Sequence, residues 1–352
     1  MTDFRDEFQR LLESTFIPTV GDRAEIRKKY ADFLNVAFQN IPEKLFRYRQ
    51  CDENGYSLDS FKHGTISVCY PNRFSDKYDS RVYVDRGKIL KDLTDGFNGA
   101  ISDLLKDIRQ NNPNVKSERA SEICHYMEGG LSDQEIIDKL IKEQDDYIHE
   151  VETDMKNREC RFRGKEKTAK IGCFTENAQS KFMWDHYAGG YTGFALEYNL
   201  KELVYKYQGH PNIFPYVFPV IYTDQMPDVT DDETNAYLRE NCIKKKWMRY
   251  WAPLYYSFPL NALHMYKPYL YKDKAEYAHE REWRMICYDF ENQKDFSLIP
   301  DLNCLKAIYY GPDISADNKE RLHEIAKEKG INEYDVSLDS ESRTYNLKVS
   351  RI

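Results

Sequence analysis

The sequence predicts an α+β protein, a mostly antiparallel sheet decorated with helices. Two observations carry that expectation. Short runs rich in β-branched and aromatic residues recur along the chain, bounded by glycine, proline or asparagine signals. Helical periodicity is instead concentrated near the amino terminus and in one long stretch before the middle. At 352 residues the chain can bury a large core. The expected organisation is an N-terminal helical segment, 1–40, followed by a single α+β domain, 41–352, with a helical insertion at about 88–160.

In order, residues from about 3 to 40 read as helical, with Ile26, Tyr30, Leu34 and Ala37 at helical spacing after the start signal Gly21-Asp22. Ile41-Pro42 ends that helix. Residues 44–49 form a strand-like run of alternating basic and aromatic side chains. Residues 58–62 suit one or two helical turns, and 65–70 a β-branched strand closed by Pro71-Asn72. In the insertion, Ile89, Leu93, Phe97, Ile101, Leu104 and Ile108 repeat at helical spacing. A second helix follows Ser132, where Glu135 three residues on completes a capping box. Strand character returns at 170–175. A short helix over 178–188 stops at Gly189-Gly190, and strands follow at 191–198 and 217–222, the latter demoted to an edge by Pro219. Residues from about 231 to 272 read as helical and aromatic-rich, interrupted by Pro253 and Pro259. Strands at 282–290, 305–310, 332–338 and 343–351, with a helix at 315–329, complete the chain.

Composition excludes several classes. Charged residues make up 31% and hydrophobic residues 41%, values of a globular rather than a disordered chain. The net charge of −8 argues against a general nucleic-acid coat. No apolar run approaches the length of a membrane span, and the charged N-terminus does not resemble a signal peptide, so a cytoplasmic protein without membrane association is expected. Eight cysteines are scattered without a C-x-x-C pair, which supports neither a zinc site nor a disulfide framework. Neither H-E-x-x-H, a phosphate-binding glycine loop nor G-x-S-x-G occurs. Aromatic residues reach 14%, with 28 Tyr and 18 Phe; they suit an aromatic core and equally a pocket for planar ligands.

What remains is a set of residues in order along the chain. Glu280 and Glu282 would share a strand face with Arg284 if the strand reaches back to Glu280. Alone, that segment reads as a solvated edge strand whose charges neutralise one another. Arg47 and Arg49 lie on the first strand, where an arginine fork suits a pyrophosphate. Thr175 ends a middle strand, where its hydroxyl can orient a carboxylate or a ribose. Tyr48, Trp184 and Tyr187 offer stacking faces, although Trp184 also suits core packing, and His186 stands between a structural hydrogen bond and a site role. A glutamate beneath a ribose can favour an oxocarbenium-like state, and its partner can deprotonate an acceptor. Together the set matches cleavage of the nicotinamide–ribose bond of NAD.

Leu45-Phe46-Arg47-Tyr48-Arg49, Cys173-Phe174-Thr175, Met183-Trp184-Asp185-His186-Tyr187-Ala188 with Gly193, and Glu280-Arg281-Glu282-Trp283-Arg284 resemble the bacterial domain-of-unknown-function family DUF2971. That family includes abortive-infection proteins of the AbiGi type. The chain departs from the family pattern where Ser75-Asp76-Lys77-Tyr78-Asp79 replaces Asn-Asp-Pro-Phe-acidic, and where Thr175 replaces a serine. The order of elements also resembles the Arg-Ser-Glu class of ADP-ribosyltransferases, an analogy at the level of fold. That resemblance implies an ADP-ribosyltransferase-like fold with Glu282 catalytic, Glu280 assisting the acceptor, and Arg47 or Arg49 binding NAD as substrate. It further implies a macromolecular acceptor, protein or nucleic acid, and a toxin-type effector of phage defence answering to a phage-derived trigger. The alternatives are a metal-dependent nuclease-type toxin using Glu280, Glu282, His186 and Asp76, and a non-catalytic sensor that binds a phage component or nucleotide.

Overall fold

The computed structural model describes the chain apart from residues 1–2, 53–54, 111–117, 158–168, 209–212, 245–259 and 290–293. Two helices lead it, α1 (Phe4–Ser14) and α2 (Arg23–Gln39), each capped by an aspartate that accepts first-turn amides. The cap of α2 is Asp22, at the start signal read from the sequence. Then come β1 (Leu45–Arg49), α3 (Tyr56–Lys62) and β2 (Thr65–Cys69), the expected strand, short helix and strand. The insertion folds as α4 (Arg86–Arg109), α5 (Glu118–Glu128) and α6 (Asp133–Asn157). Ser132 and Glu135 make the reciprocal capping box at the head of α6. Leu105, Ile123, Ile136 and Leu140 form a core cluster of the insertion's own.

The second half supplies β3 (Lys170–Thr175), α7 (Lys181–Tyr187), β4 (Phe194–Tyr198), α8 (Leu200–Lys206), β5 (Ile213–Pro219) and β6 (Ile221–Thr223). These are followed by α9 (Thr230–Lys244), β7 (Tyr271–Asp273), β8 (Glu282–Asp289) and β9 (Phe296–Pro300). Strand β10 (Leu305–Tyr310), a helix over Ala316–Lys329, β11 (Asn332–Leu338) and β12 (Leu347–Arg351) finish the chain. The run expected as one strand over 217–222 is broken: β5 ends at Pro219, and β6 joins β7 in a separate two-stranded sheet. The interruptions expected at Pro253 and Pro259 lie outside the described residues. No helix among the described residues is long and apolar enough to cross a membrane.

The main sheet runs β12-β11-β10-β4-β1-β3-β2-β9, with β8 also on β3 and β5 on β8. All these pairings are antiparallel except β10 with β11, which the Ala316–Lys329 helix connects. The fold is thus mixed α/β around a mostly antiparallel sheet. Strand β3 is its junction. One edge of β3 pairs along its whole length with β8, from Lys170↔Cys287 to Thr175↔Glu282. The other edge is shared. It meets β1 at Phe46↔Thr175 and β2 at Cys69↔Ile171, so the sheet forks between β1 and β2.

Core packing follows the alternation of side chains. One sheet face buries Leu45, Val68, Phe174, Leu196, Trp283 and Met285 in a single cluster. The opposite face carries two. Phe46, Tyr48, Trp184, Ala195 and Tyr309 form one, while Ile171, Phe218 and Ile286 pack with Phe8, Leu12 and Phe33 of the leading helices in the other. A cavity lies where these two clusters part.

Candidate functional site

The cavity, about 220 Å³, is lined by β1 (Phe46, Arg47, Tyr48, Arg49), by Cys69, Cys173 and Phe174, and by Met183 and Tyr187 of α7. Asp76, Asp79, Lys272, Glu280, Glu282 and Arg284 complete its charged wall. Pairing register puts Phe46 and Tyr48 on the same sheet face as Thr175, and Arg47 and Arg49 on the other. All four β1 side chains reach one cavity because the sheet is open between β1 and β2.

The two arginines have no carboxylate within ion-pair distance among the described residues. The Nη2 of Arg49 donates to Ser67 Oγ at 2.8 Å, which ties β1 to β2 across the fork. Arg47 lies over the Phe174 ring, 5.5 Å from its centroid, and its Nη1 is buried with no hydrogen-bond partner among the described residues. Burial, then the charge of Arg47, pull the Arg49 guanidinium below its ordinary pKa. Burial does the same to Arg47. Two neighbouring cations facing a cavity, one with an unmet donor, form a site that an anion would relieve.

The opposite wall is a closed ion network. Arg284, 1% exposed, donates through Nε to Glu282 Oε1 at 2.9 Å, through Nη1 to Asp79 Oδ1 at 2.9 Å and to the Tyr269 carbonyl at 2.7 Å. Lys272 Nζ reaches Glu280 Oε2 at 2.9 Å and Glu282 Oε2 at 3.2 Å, and sits 3.9 Å from the Tyr277 ring centroid. The Tyr187 hydroxyl donates to Glu280 Oε1 at 2.6 Å. Burial works against the charge of Glu282, but Arg284 and then Lys272 outweigh it and bring the carboxyl down to about 2. Glu282 is therefore an ionised carboxylate at neutral pH. Lys272 is likewise disfavoured by burial, and Glu282 and Glu280 more than restore its charge. The Cys173 thiol is raised well above its ordinary range by burial and then by Glu282.

The glutamates do not converge in the way strand alternation suggested. Strand β8 begins at Glu282, residues 278–280 form a 3-10 turn, and Arg281 takes a left-handed conformation with φ of 50°. That turn carries Glu280 back over the cavity beside Glu282. Thr175 Oγ1 fixes the turn by donating to the Glu280 carbonyl at 2.6 Å. Thr175 is 1% exposed and does not line the cavity, so its hydroxyl holds the main chain of Glu280 rather than its carboxylate.

Of the residues singled out from the sequence, Arg47, Tyr48, Arg49, Tyr187, Glu280 and Glu282 meet at this cavity. Trp184 does not. It is fully buried, packs edge-on against Tyr48 and donates Nε1–H to the Ala178 carbonyl. His186 faces outward, stacks on Phe182 and contacts the Phe182 carbonyl. One turn of α7 separates the fates of Trp184, His186 and Tyr187. Asp79, Lys272 and the ion-pairing role of Arg284 complete the site. Lys272 carried no signal, because it falls at the end of the stretch at about 231–272 read as helical, whereas it lies on β7.

Gly193 explains how α7 approaches β1. A Cβ there would stand 2.1 Å from the Arg49 carbonyl oxygen and 2.8 Å from that of Ala188. Only glycine permits this contact. The helix ends through Gly189 and Gly190, both at positive φ, with Gly190 N–H donating to the Asp185 carbonyl.

A forked, mostly antiparallel sheet whose fork is lined by an arginine pair and two buried glutamates defines a mixed α/β protein with a charge-lined cavity. Residues 183–285 match the family DUF2971, described as a protein of unknown function. The recognition made from the Met-Trp-x-His-Tyr-Ala and Glu-x-Glu segments holds over these residues. No curated protein and no solved structure matches the chain. The matched stretch supplies Met183, Tyr187, Lys272, Glu280, Glu282 and Arg284 to the cavity, while Arg47, Arg49, Asp79 and Cys173 come from outside it. Among the described residues no group of three or more His, Cys, Asp or Glu is placed to hold a metal ion.

Proposed function

We propose that the protein is an NAD-dependent enzyme of the ADP-ribosyltransferase type. One observation carries the reading. Arg47 and Arg49, which have no carboxylate within ion-pair distance among the described residues, share a cavity with the ionised Glu282. The arginine pair suits a pyrophosphate. A carboxylate held near a pKa of 2 cannot serve as an acid at neutral pH but can stabilise a cation. In the reaction, the bond between the ribose C1′ and the nicotinamide nitrogen breaks, and its electron pair leaves with neutral nicotinamide. Glu282 stabilises the oxocarbenium ion left behind. An acceptor then bonds to C1′ and gives its proton to Glu280. A larger cavity of about 680 Å³ shares Asp76, Lys272 and Tyr277 with the inner one and provides room for the rest of the dinucleotide and for the acceptor.

The test is incubation with NAD and cell extract, following free nicotinamide and labelled acceptors. Wild type should release nicotinamide and Glu282→Gln should not; equal behaviour of the two would end the proposal. The resemblance noted in the sequence extends the reading to a toxin-type effector of phage defence. In that case, expression in bacteria should arrest growth with loss of NAD, and Glu282→Gln should relieve the arrest.

A second reading has its own observation. Lys272 and Arg284 already occupy both glutamates, an arrangement that suits a nucleotide sensor without turnover. Calorimetric titration with ADP-ribose separates the two. A sensor binds it and releases no nicotinamide from NAD.

A further inference from the structure

The carboxylate pair is held from behind as well as within the cavity, and the N-terminal helix does the holding. Arg5 of α1 is 6% exposed and does not line the cavity. Its Nη2 donates to the main-chain carbonyl of Glu282 at 3.0 Å, and its Nη1 to Glu176 Oε1 at 2.6 Å. The guanidinium also lies 5.8 Å from the Trp283 ring centroid and 5.9 Å from that of Tyr222. Tyr222 in turn accepts the Glu282 amide at 2.7 Å. The backbone of Glu282 is thus held at both its N–H and its C=O by side chains outside the sheet ladder.

The same helix secures the turn before it. Arg281 adopts a left-handed conformation that a bulky residue keeps only where its surroundings impose it. Glu176 accepts Arg281 Nε at 2.9 Å and Trp283 Nε1 at 2.6 Å, and Asp3 pairs with the Arg281 guanidinium. Phe4 stacks on Trp283 with ring centroids 6.3 Å apart. Three consecutive residues, Asp3, Phe4 and Arg5, therefore grip the segment that carries Glu280 and Glu282. A buried arginine would be a poor choice merely to dock a helix, because an apolar side chain fills such a place without a desolvation cost.

We propose that Arg5 is a positioning residue for the Glu280–Glu282 pair, acting through Glu176 and the left-handed turn at Arg281. The inference rests on the proposed reaction only for its kinetic consequence, since the geometric consequence can be read without turnover. The full chain is compared with Arg5→Met and Arg5→Lys by amide hydrogen exchange and by nicotinamide release. In Arg5→Met, exchange at Arg281 and Glu282 should rise at least tenfold while exchange in β4 and β10 stays unchanged. The kcat for nicotinamide release should fall at least tenfold with the KM for NAD within twofold, because Arg47 and Arg49 are untouched. Arg5→Lys keeps the charge beside Glu176 but not the fork, and should fall between. If Arg5→Met does not fold, Glu176→Gln loosens the same turn with α1 intact and should give the same local pattern. Unchanged exchange at 281–282, or a rise shared equally by β4 and β10, overturns the positioning role. A wild type that releases no nicotinamide defeats the proposed reaction, while the exchange pattern still decides the role of Arg5.

Discussion

Replacing Arg284 by methionine keeps most of the buried volume and removes the cation on which the acidic wall depends. Arg284 is 1% exposed, and its partners Asp79 and Glu282 have side chains 3% and 6% exposed, so solvent cannot take its place. Removing one member of a buried ion pair costs about 3–5 kcal/mol, because the other charge is left uncompensated. The depression of Glu282 from 4.5 to about 2 gives an independent scale. A shift of that size corresponds to roughly 3 kcal/mol, of which Arg284 supplies the largest favourable share. The sign follows from linkage. Glu282 has a folded-state pKa below its unfolded value, so its contribution is complete above about pH 4.5 and is lost as pH falls toward 2. Urea unfolding followed by circular dichroism should show Arg284→Met destabilised by about 3–5 kcal/mol at pH 7. The gap to wild type should narrow steadily between pH 4.5 and pH 3. Adding Glu282→Gln and Asp79→Asn to Arg284→Met should recover much of the loss, since the two carboxylates that Arg284 neutralised are then uncharged and Lys272 keeps Glu280 as its partner. A deficit below about 1 kcal/mol at pH 7, or one that does not change with pH, would refute the reasoning.

Three further outcomes follow from contacts around the cavity. Gly193→Ala, whose Cβ would meet the Arg49 carbonyl, should cost roughly 1–3 kcal/mol and lower the thermal midpoint, whereas alanine at the open Gly96 should not. Thr175→Val should cost about 1–3 kcal/mol by leaving the Glu280 carbonyl without its donor, and Thr175→Ser should stay close to wild type in the same denaturation assay. Arg47→Met, which removes an unsatisfied buried donor, should leave stability unchanged or raise it by about 1 kcal/mol while weakening NAD or ADP-ribose binding at least tenfold by calorimetry.

Local signals made much of the frame legible. The β-branched and aromatic runs at 45–49, 65–69, 170–175 and 305–310 became strands, and the capping box at Ser132 and Glu135 opened a helix as its spacing required. These features depend on neighbours close in sequence. The site was legible where one strand carried its residues, as with Arg47 and Arg49. It was misread where a backbone irregularity intervened: Glu280 reaches the cavity through the left-handed Arg281 rather than by alternation. Trp184 and His186 lie two residues apart, so helix geometry turned one into the core and the other toward solvent. Lys272 and Arg5 were invisible for a different reason. Each sits among charged neighbours in sequence; Arg5 is buried by partners that the fold brings from far along the chain, 171 residues away for Glu176, and Lys272 by the turn that brings Glu280 and Glu282 back onto it. Burial of a charge is a tertiary property, and nothing in a local pattern announces it.

The fork at β3 gives the cavity a mechanical character. The wing β12-β11-β10-β4-β1 joins the rest of the sheet at Phe46↔Thr175, and the wing β2-β9 joins it at Cys69↔Ile171, while β8 and β5 continue from the far edge of β3. Arg47 and Arg49 ride on the first wing and Glu282 and Arg284 on β8, while Asp79 follows β2. A rotation of the β1 wing against β8 about β3 would change the separation between the arginine pair and Glu282. In that geometry β3 is the hinge pin and the cavity is the gap between the arms.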